Sequence, residues 1–390
     1  MGISIDFAER LKKLPPYLFA EIDKAKRQAI SDGKDIIDLG IGDPDKPTPE
    51  HIIDKLYAAA KDPKNHRYAL DLGLLELRKA IAKWYKKRFN VSLDPEKEVL
   101  PLIGSKEGIA HIPLAFVNPG DEVLVPDPCY PPYKGGTIFA GGVPYIMPLT
   151  AENKFLPDLE AIDFQVANRA KMMFLNYPNN PTSAVCDEKF FKKAIDYANK
   201  YNIIICHDAA YSEIAYDGYK PMSFMEVEGA KEVGIEFHSL SKTFNMTGWR
   251  VGFAVGNQKI IQGLGKVKAN VDSGIFQAVQ FAGIIALETQ TEHLDDMNQM
   301  YQKRRDALVG GLNKLGWVIP KPKATFYVWA PVPPGYTSTE LSRLLLEKAN
   351  LITTPGVGFG PNGEGYVRMA LTVSEDRMKE AVDRIKKVKL

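Results

Sequence analysis

The sequence predicts an α/β protein in two domains, the larger built on a mainly parallel sheet and the smaller of α+β type. Three observations predict it. A chain of 390 residues with 45% hydrophobic and 25% charged side chains is too long for one small core and has the balance of an ordinary globular protein. Short apolar runs alternate with helical patterns through its middle, as parallel strands covered on both faces require. From about Glu288 the character changes to long charged helical patterns with isolated strands between them.

Taken in order, Leu74 to Phe89 has helical periodicity and is rich in Lys and Arg. Val99 to Ile103 is an apolar run stopped by Gly104, and a helical pattern resumes from Ser105 to Phe116. Glu122 to Val125 reads as a strand closed by Pro126. Lys171 to Asn176, Asn202 to Cys206, Ile235 to Leu240 and Val251 to Val255 read as four more, with a helix from Asp187 to Tyr201 between the first two. Beyond Glu288, helical patterns run to Leu315. A strand over Ala324 to Ala330, a helix over Thr339 to Lys348, a strand over Tyr366 to Thr372 and a helix over Glu375 to Val388 follow. The opening residues hold too few elements to fold alone and are assigned to the second domain. The expected division is 48–285 for the large domain, and 1–47 with 286–390 for the small one.

Composition narrows the function. A formal net charge of +2 gives no reason to expect nucleic acid or an anionic membrane as partner. Cys129, Cys186 and Cys206 are an odd, sparse set without CxxC, which suits a reducing cytoplasm better than a disulfide framework. The opening segment brings in charge at once, unlike a signal peptide, and the uncharged stretch from Ile275 to Leu287 is too short to span a bilayer. GxxxxGK[ST] and HExxH are missing, and Gly40-Ile41-Gly42 is too little to argue a dinucleotide site. His51, His66, His111 and His293 show no metal spacing, so no metal is expected.

The chemistry concentrates in Ser239-Leu240-Ser241-Lys242-Thr243-Phe244 and the Gly248-Trp249-Arg250 that follows. A lysine among hydroxyls with an arginine close behind is what holding pyridoxal 5'-phosphate requires. The lysine amine, whose pKa falls readily on desolvation, condenses with the cofactor aldehyde. Ser239, Ser241 and the fork of Arg250 suit its phosphate. The same run also reads as a polar loop with solvated cations, so the other strand ends matter.

In such sheets ligands bind beyond the carboxyl ends of the strands, and four predicted ends carry polar groups. Asp208, after Ile203-Ile204-Ile205, suits the protonated ring nitrogen of the cofactor; it also reads as a helix cap. Tyr211 and Asn180 suit the phenolic oxygen, or are packing and an Asn-Pro turn respectively. Ser105 and Lys106 open a helix whose amides suit a phosphate, or simply cap it. Tyr130 could stack on a flat ring, or pack. His207 and His238 neighbour these positions but point to opposite faces of their strands and read as structural.

With these segments in place, the chain resembles the fold-type-I, pyridoxal-phosphate-dependent class I/II aminotransferases over almost its whole length. The order Tyr68, Gly104, Tyr130, Asn180, Asp208, Tyr211, Ser239/Ser241/Lys242, Arg250 and Arg368 matches. The resemblance implies a seven-stranded sheet, Lys242 as the catalytic residue and Arg368 as the clamp on the substrate α-carboxylate. It also implies a homodimer with shared active sites, in which Tyr68 is donated to the neighbouring cofactor phosphate. Within the family, Leu14-Pro15-Pro16-Tyr17-Leu18-Phe19-Ala20, Leu39-Gly40-Ile41-Gly42-Asp43-Pro44-Asp45 and Asn245-Met246-Thr247-Gly248-Trp249-Arg250 resemble the bacterial LL-diaminopimelate aminotransferases. That likeness implies substrate contacts at Tyr17, Gly42, Asn180 and Arg368. It makes Asp71 a candidate ligand for a distal ammonium. Ser183 departs from the family, which usually has glycine after Asn-Pro-Thr; little effect is expected.

The implied reaction exchanges an amino group between LL-2,6-diaminopimelate and 2-oxoglutarate, giving tetrahydrodipicolinate and glutamate, as in lysine biosynthesis. Rival readings keep the cofactor but change the donor to aspartate, alanine, methionine or an aromatic amino acid, or change the reaction to C–S lysis. A transcription regulator with an aminotransferase-like domain needs a DNA-binding arm and a basic cluster, neither of which is evident.

Overall fold

A computed structural model of the chain describes residues 3–14, 26–29, 31–69, 72–288 and 292–388. The tyrosine at 17 and the aspartate at 71, singled out above, lie outside these residues. Among the described residues the large sheet has seven strands: β2 (Val99–Leu102), β3 (Glu122–Asp127), β4 (Val143–Pro148), β5 (Ala170–Asn176), β6 (Ile204–Asp208), β7 (Gly234–Ser239) and β8 (Gly252–Gly256), with β1 (Ile37–Asp38) lying elsewhere. Their spatial order is β2-β8-β7-β6-β5-β3-β4. β8 runs antiparallel to both its neighbours, and the other pairings are parallel. The expected α/β class, with a mainly parallel sheet, is what the chain forms.

Local sequence explains why these segments take these shapes. The helix Glu188–Tyr201 starts where the Asp187 carboxylate accepts the Phe190 N–H (3.0 Å) and stops at Asn202 in the left-handed conformation (φ 56°), a frequent pairing of cap and terminator. It buries Phe190, Phe191, Ala194, Ile195 and Ala198 on one stripe, the spacing an amphipathic helix needs. β5 and β6 are buried along most of their length because helices cover both faces.

β4 escaped the sequence reading for a physical reason. It is an edge strand carrying Pro144 and Pro148, and only Met147 in it is buried, so it lacks the apolar run that marks an interior strand. The helices Glu50–Ala60, Pro132–Phe139 and Gln258–Val271 were also not read from sequence.

A separate antiparallel sheet has the order β11-β12-β9, from β9 (Tyr327–Pro331), β11 (Thr354–Pro355) and β12 (Tyr366–Ala370). β1 pairs in parallel with β10 (Leu351–Ile352). Beside them run the helices Glu292–Lys314, Ser338–Ala349 and Glu375–Val388. Ser338–Ala349 opens with a reciprocal Thr337–Glu340 capping box. The core of this part draws on Ile37, Leu39 and residues from Met297 to Ile385, and also on Tyr211, Ile214 and Tyr216 from the loop after β6.

The two faces of the large sheet differ in chemistry. Asp208 and Ser239 end their strands on one face; His207, Glu236 and His238 lie on the other, as strand periodicity requires. Glu236, fully buried, accepts from Tyr85 OH (2.6 Å), Ser223 Oγ (2.6 Å) and the Phe224 N–H (2.7 Å), and meets His207 Nδ1 (2.8 Å) and His238 Nε2 (3.0 Å). Burial alone would raise its carboxyl; the hydrogen bonds from the two histidines outweigh that and hold it well below the usual range. Removing the carboxylate strands five buried partners. Glu236→Leu is therefore expected to lower folding stability by about 3–5 kcal/mol, read as a fall in the urea midpoint; an unchanged midpoint would contradict this account.

Candidate active site

The carboxyl ends of β2, β5, β6 and β7 open onto a cavity of about 500 Å³. Gly42, Ser105, Lys106, Tyr130, Asn180, Asp208, Tyr211, Ser239, Ser241, Lys242, Arg250 and Arg368 all line it, joined by Ala210, Tyr327 and Phe359. Residues separated by more than 300 positions thus converge on one space.

Lys242 sits in the short helix Leu240–Thr243 directly after β7. Its Nζ donates to the Gly42 carbonyl at 3.2 Å. Burial pushes its ammonium down from 10.5 to about 8; Asp43 opposes the shift, and the charges of Arg250 and Arg368 add to it. A free amine is thereby within reach near neutral pH.

Asp208 is buried at the end of β6. Tyr133 OH donates to its Oδ2 (2.8 Å) and the Ala210 N–H to its Oδ1 (3.3 Å). Burial raises its pKa, with the Tyr133 hydrogen bond and the nearby histidines opposing. A buried carboxylate on a cavity wall calls for a cation in the cavity. Tyr133 was not singled out from the sequence, although it lies three residues beyond Tyr130. Its ring stacks on Phe174 at 5.0 Å.

The cavity lining also holds groups that suit an anion. The helix Ser105–Phe116 presents its N-terminus there, with Ser105 and Lys106 in its first turn. Gly104 precedes it at φ 75°, and a β-carbon on Gly104 would run into the Arg250 guanidinium. Glycine is thus needed for backbone and guanidinium to approach one another. Ser239 and Ser241 are buried beside them.

Arg368, on β12, is buried. It donates to Asn180 Oδ1 (2.8 Å) and to the Gly40 carbonyl (2.7 Å), and lies over the rings of Tyr327 (4.2 Å) and Phe359 (4.6 Å). Because Asn180 Oδ1 is engaged by Arg368, its amide nitrogen is the donor it offers to the cavity. Tyr211 OH stands 3.0 Å from Tyr327 OH. Burial, with Tyr327 adding to it, holds the Tyr211 phenol well above its ordinary pKa and keeps it a donor. Tyr68 is not among the lining residues: it is 93% exposed. Away from this cavity, Glu107, His111 and Asp272 approach one another, but Lys268 Nζ already reaches Glu107 (3.2 Å) and Asp272 (2.6 Å) and supplies the positive charge.

Residues 34–385 match the family described as aminotransferase class I and II. The chain belongs to this family. It is 59% identical to an LL-diaminopimelate aminotransferase of Moorella thermoacetica over 98% of both chains. It is 56% identical to one of Aquifex aeolicus, covering 99% of this chain and 100% of the relative. Among solved structures, substrate-bound BacF of Bacillus subtilis superposes with a TM-score of 0.96 at 43% identity, covering 100% of this chain and 99% of BacF. The aminotransferase is dependent on pyridoxal 5'-phosphate. The cavity fits that group: it is lined by a buried carboxylate, a helix N-terminus with hydroxyls and a guanidinium, and an amine of lowered pKa.

The lowered lysine pKa has a direct consequence. In the cofactor-free aminotransferase, labelling of Lys242 by an amine-specific reagent is expected to rise with pH about a midpoint near 8. Mass spectrometry of the Lys242 peptide measures it, and a midpoint at the ordinary 10.5 would refute the desolvation argument.

Proposed function

We propose that this aminotransferase moves an amino group between LL-2,6-diaminopimelate and 2-oxoglutarate, forming tetrahydrodipicolinate and glutamate, in the cytoplasm and in the service of lysine synthesis. The observation that carries the substrate is the 59% identity, along 98% of the chain, to a relative that bears that activity in its name.

When bound, pyridoxal phosphate supplies an aldehyde that takes the amino group and a ring that accepts the electrons of the α-carbon–hydrogen bond. The protein does the rest. Lys242 Nζ anchors the cofactor and, as a free amine, accepts the substrate α-proton and returns it, as general acid–base catalysis requires. Asp208, held by Tyr133, keeps a proton on the ring nitrogen. Tyr211 and the Asn180 amide would donate to the cofactor's phenolic oxygen, and Tyr130 would offer its ring for stacking. Ser105, Lys106, Ser239, Ser241 and Arg250 take the phosphate. Arg368 grips the α-carboxylate of amino and keto acids alike with a bidentate fork, and Gly42 borders the substrate.

Residues 48–285 are proposed to carry the cofactor, and 1–47 with 286–390 to bring Arg368 to it. The exposure of Tyr68 fits a homodimer in which the partner subunit's Tyr68 completes each phosphate site.

Incubation with a panel of amino donors and 2-oxoglutarate tests the substrate. LL-2,6-diaminopimelate is expected to give the highest kcat/KM, with ping-pong kinetics, and Lys242→Ala to abolish turnover. A clear preference for aspartate, alanine or an aromatic donor, or pyruvate release from cystathionine without a keto acid, would overturn the assignment. The shared site is tested by mixing Lys242→Ala and Tyr68→Ala dimers. Subunit exchange is expected to restore activity, since one site in each mixed dimer then has both residues; failure to restore it despite exchange would exclude the donated tyrosine.

A further inference from the structure

Ser183 occupies a position where glycine would be easier. Its backbone is left-handed (φ 59°), and so is that of Thr325 (φ 65°), a conformation that is uncommon for any side chain and an outlier for a β-branched one. Both residues are buried, and they face each other across 142 positions of sequence. Paired backbone strain of this kind persists only where surrounding contacts hold it.

The contacts form a closed circuit. Ser183 Oγ–H donates to the Tyr327 carbonyl at 2.8 Å. That uses its single proton, so Thr325 Oγ1 is the donor across the 2.9 Å to Ser183 Oγ. The Tyr327 N–H in turn donates to Thr325 Oγ1 at 3.0 Å. Two of these hydrogen bonds join the loop after β5 to the start of β9, and the third closes the circuit within the β9 segment. Tyr216 OH fixes the Thr325 carbonyl, and the Ile214 carbonyl accepts the Thr325 N–H (3.0 Å).

Both ends of this circuit lead to the substrate clamp. Ser183 lies three residues after Asn180, whose Oδ1 receives Arg368. Tyr327 lies beneath the Arg368 guanidinium and touches Tyr211 through its hydroxyl. A β-carbon at Gly42 would collide with that Tyr327 hydroxyl, so the ring's placement also sets the loop that borders the substrate.

We propose that Ser183 is a positioning residue for substrate carboxylates: its hydroxyl locks the Asn180 loop to β9 and so sets where Arg368 stands relative to Asn180 and Tyr211. The proposal rests on the reading of Arg368 as the carboxylate clamp. It replaces the expectation that serine in place of the family's glycine has little effect.

The test uses the holoenzyme with glutarate, a dicarboxylate that cannot react. Ser183→Ala and Ser183→Gly are each expected to weaken glutarate binding by roughly fivefold, the scale of one lost hydrogen bond. KM is expected to rise alike for amino and keto acids, with kcat nearly unchanged. Ser183→Gly suits the left-handed backbone and keeps the test open if the alanine variant folds poorly. Arg368→Ala serves as the reference. If it weakens glutarate while both Ser183 variants bind as the parent does, the positioning role is overturned. If only Ser183→Ala is impaired and Ser183→Gly matches the parent, strain rather than the hydroxyl is responsible, and the role is again overturned. If Arg368→Ala itself binds glutarate normally, the clamp fails and the positioning role with it.

Discussion

A buried guanidinium needs partners, and Arg368 finds them by drawing distant parts of the chain together. Its hydrogen bonds go to Asn180 in the loop after β5 and to the carbonyl of Gly40 in the segment after β1, while Tyr327 and Phe359 supply its aromatic bed. Leaving a charge unpaired at such depth would be severely unfavourable, so these contacts are conditions on the fold. The Gly40 carbonyl is shared with Thr354 Oγ1 (2.9 Å), and the Ile41 carbonyl takes Thr372 Oγ1 (2.9 Å). Asp45 is gripped by both terminal nitrogens of Arg304 at 2.7 and 2.8 Å. The segment from Gly40 to Asp45 is thereby strapped to the smaller sheet and its helices. At its far end Thr48 Oγ1 donates to the Asn245 carbonyl (2.8 Å), close to the lysine-bearing turn.

The electrostatics of the cavity follow from that arrangement. Arg250 and Arg368 stand near Lys242 and, with burial, favour its neutral form; Asp43 and Asp208 pull the other way. The balance leaves an amine that can lose its proton under mild conditions without a dedicated base beside it. Asp208 has the complementary problem. Burial disfavours its charge, and the Tyr133 hydroxyl and the nearby histidines offset part of that cost. On the proposed function, pyridoxal phosphate would relieve both tensions, with Asp208 suited to a protonated ring nitrogen and Arg250 and the helix N-terminus suited to the phosphate.

The sheet separates chemistry from support. On one face stand Asp208 and Ser239, which line the cavity; on the other, Glu236 gathers Tyr85, Ser223, His207 and His238 into one buried network. His207 Nε2 receives the Tyr177 N–H at 3.2 Å, so this network reaches under the loop that carries Asn180. Rigidity in that loop has two sources: the circuit through Ser183 above, and the histidine below.

Much of this was legible in the sequence because it depends on local rules. Strand-to-turn boundaries at Asn176, Asp208 and Ser239, the capped helix Glu188–Tyr201, the helix Ser105–Phe116 after its glycine, and the lysine among hydroxyls are readable from neighbouring residues alone. The edge strand β4 was not, since prolines and exposure erase its signal. Nor were Tyr133 and Tyr327. A tyrosine that supports a carboxylate and one that packs in a core look alike until the chain brings Asp208 to the first and Arg368 and Tyr211 to the second. Ser183 is the clearest case: by sequence a small departure from glycine, by structure one member of a hydrogen-bonded circuit. The sequence alone determined which chemical groups are available and at which strand ends, because strand and helix periodicity is a short-range property. Only the tertiary structure decided which of those groups support the others, because hydrogen bonds between residues 75 to more than 300 positions apart exist only once the chain has folded.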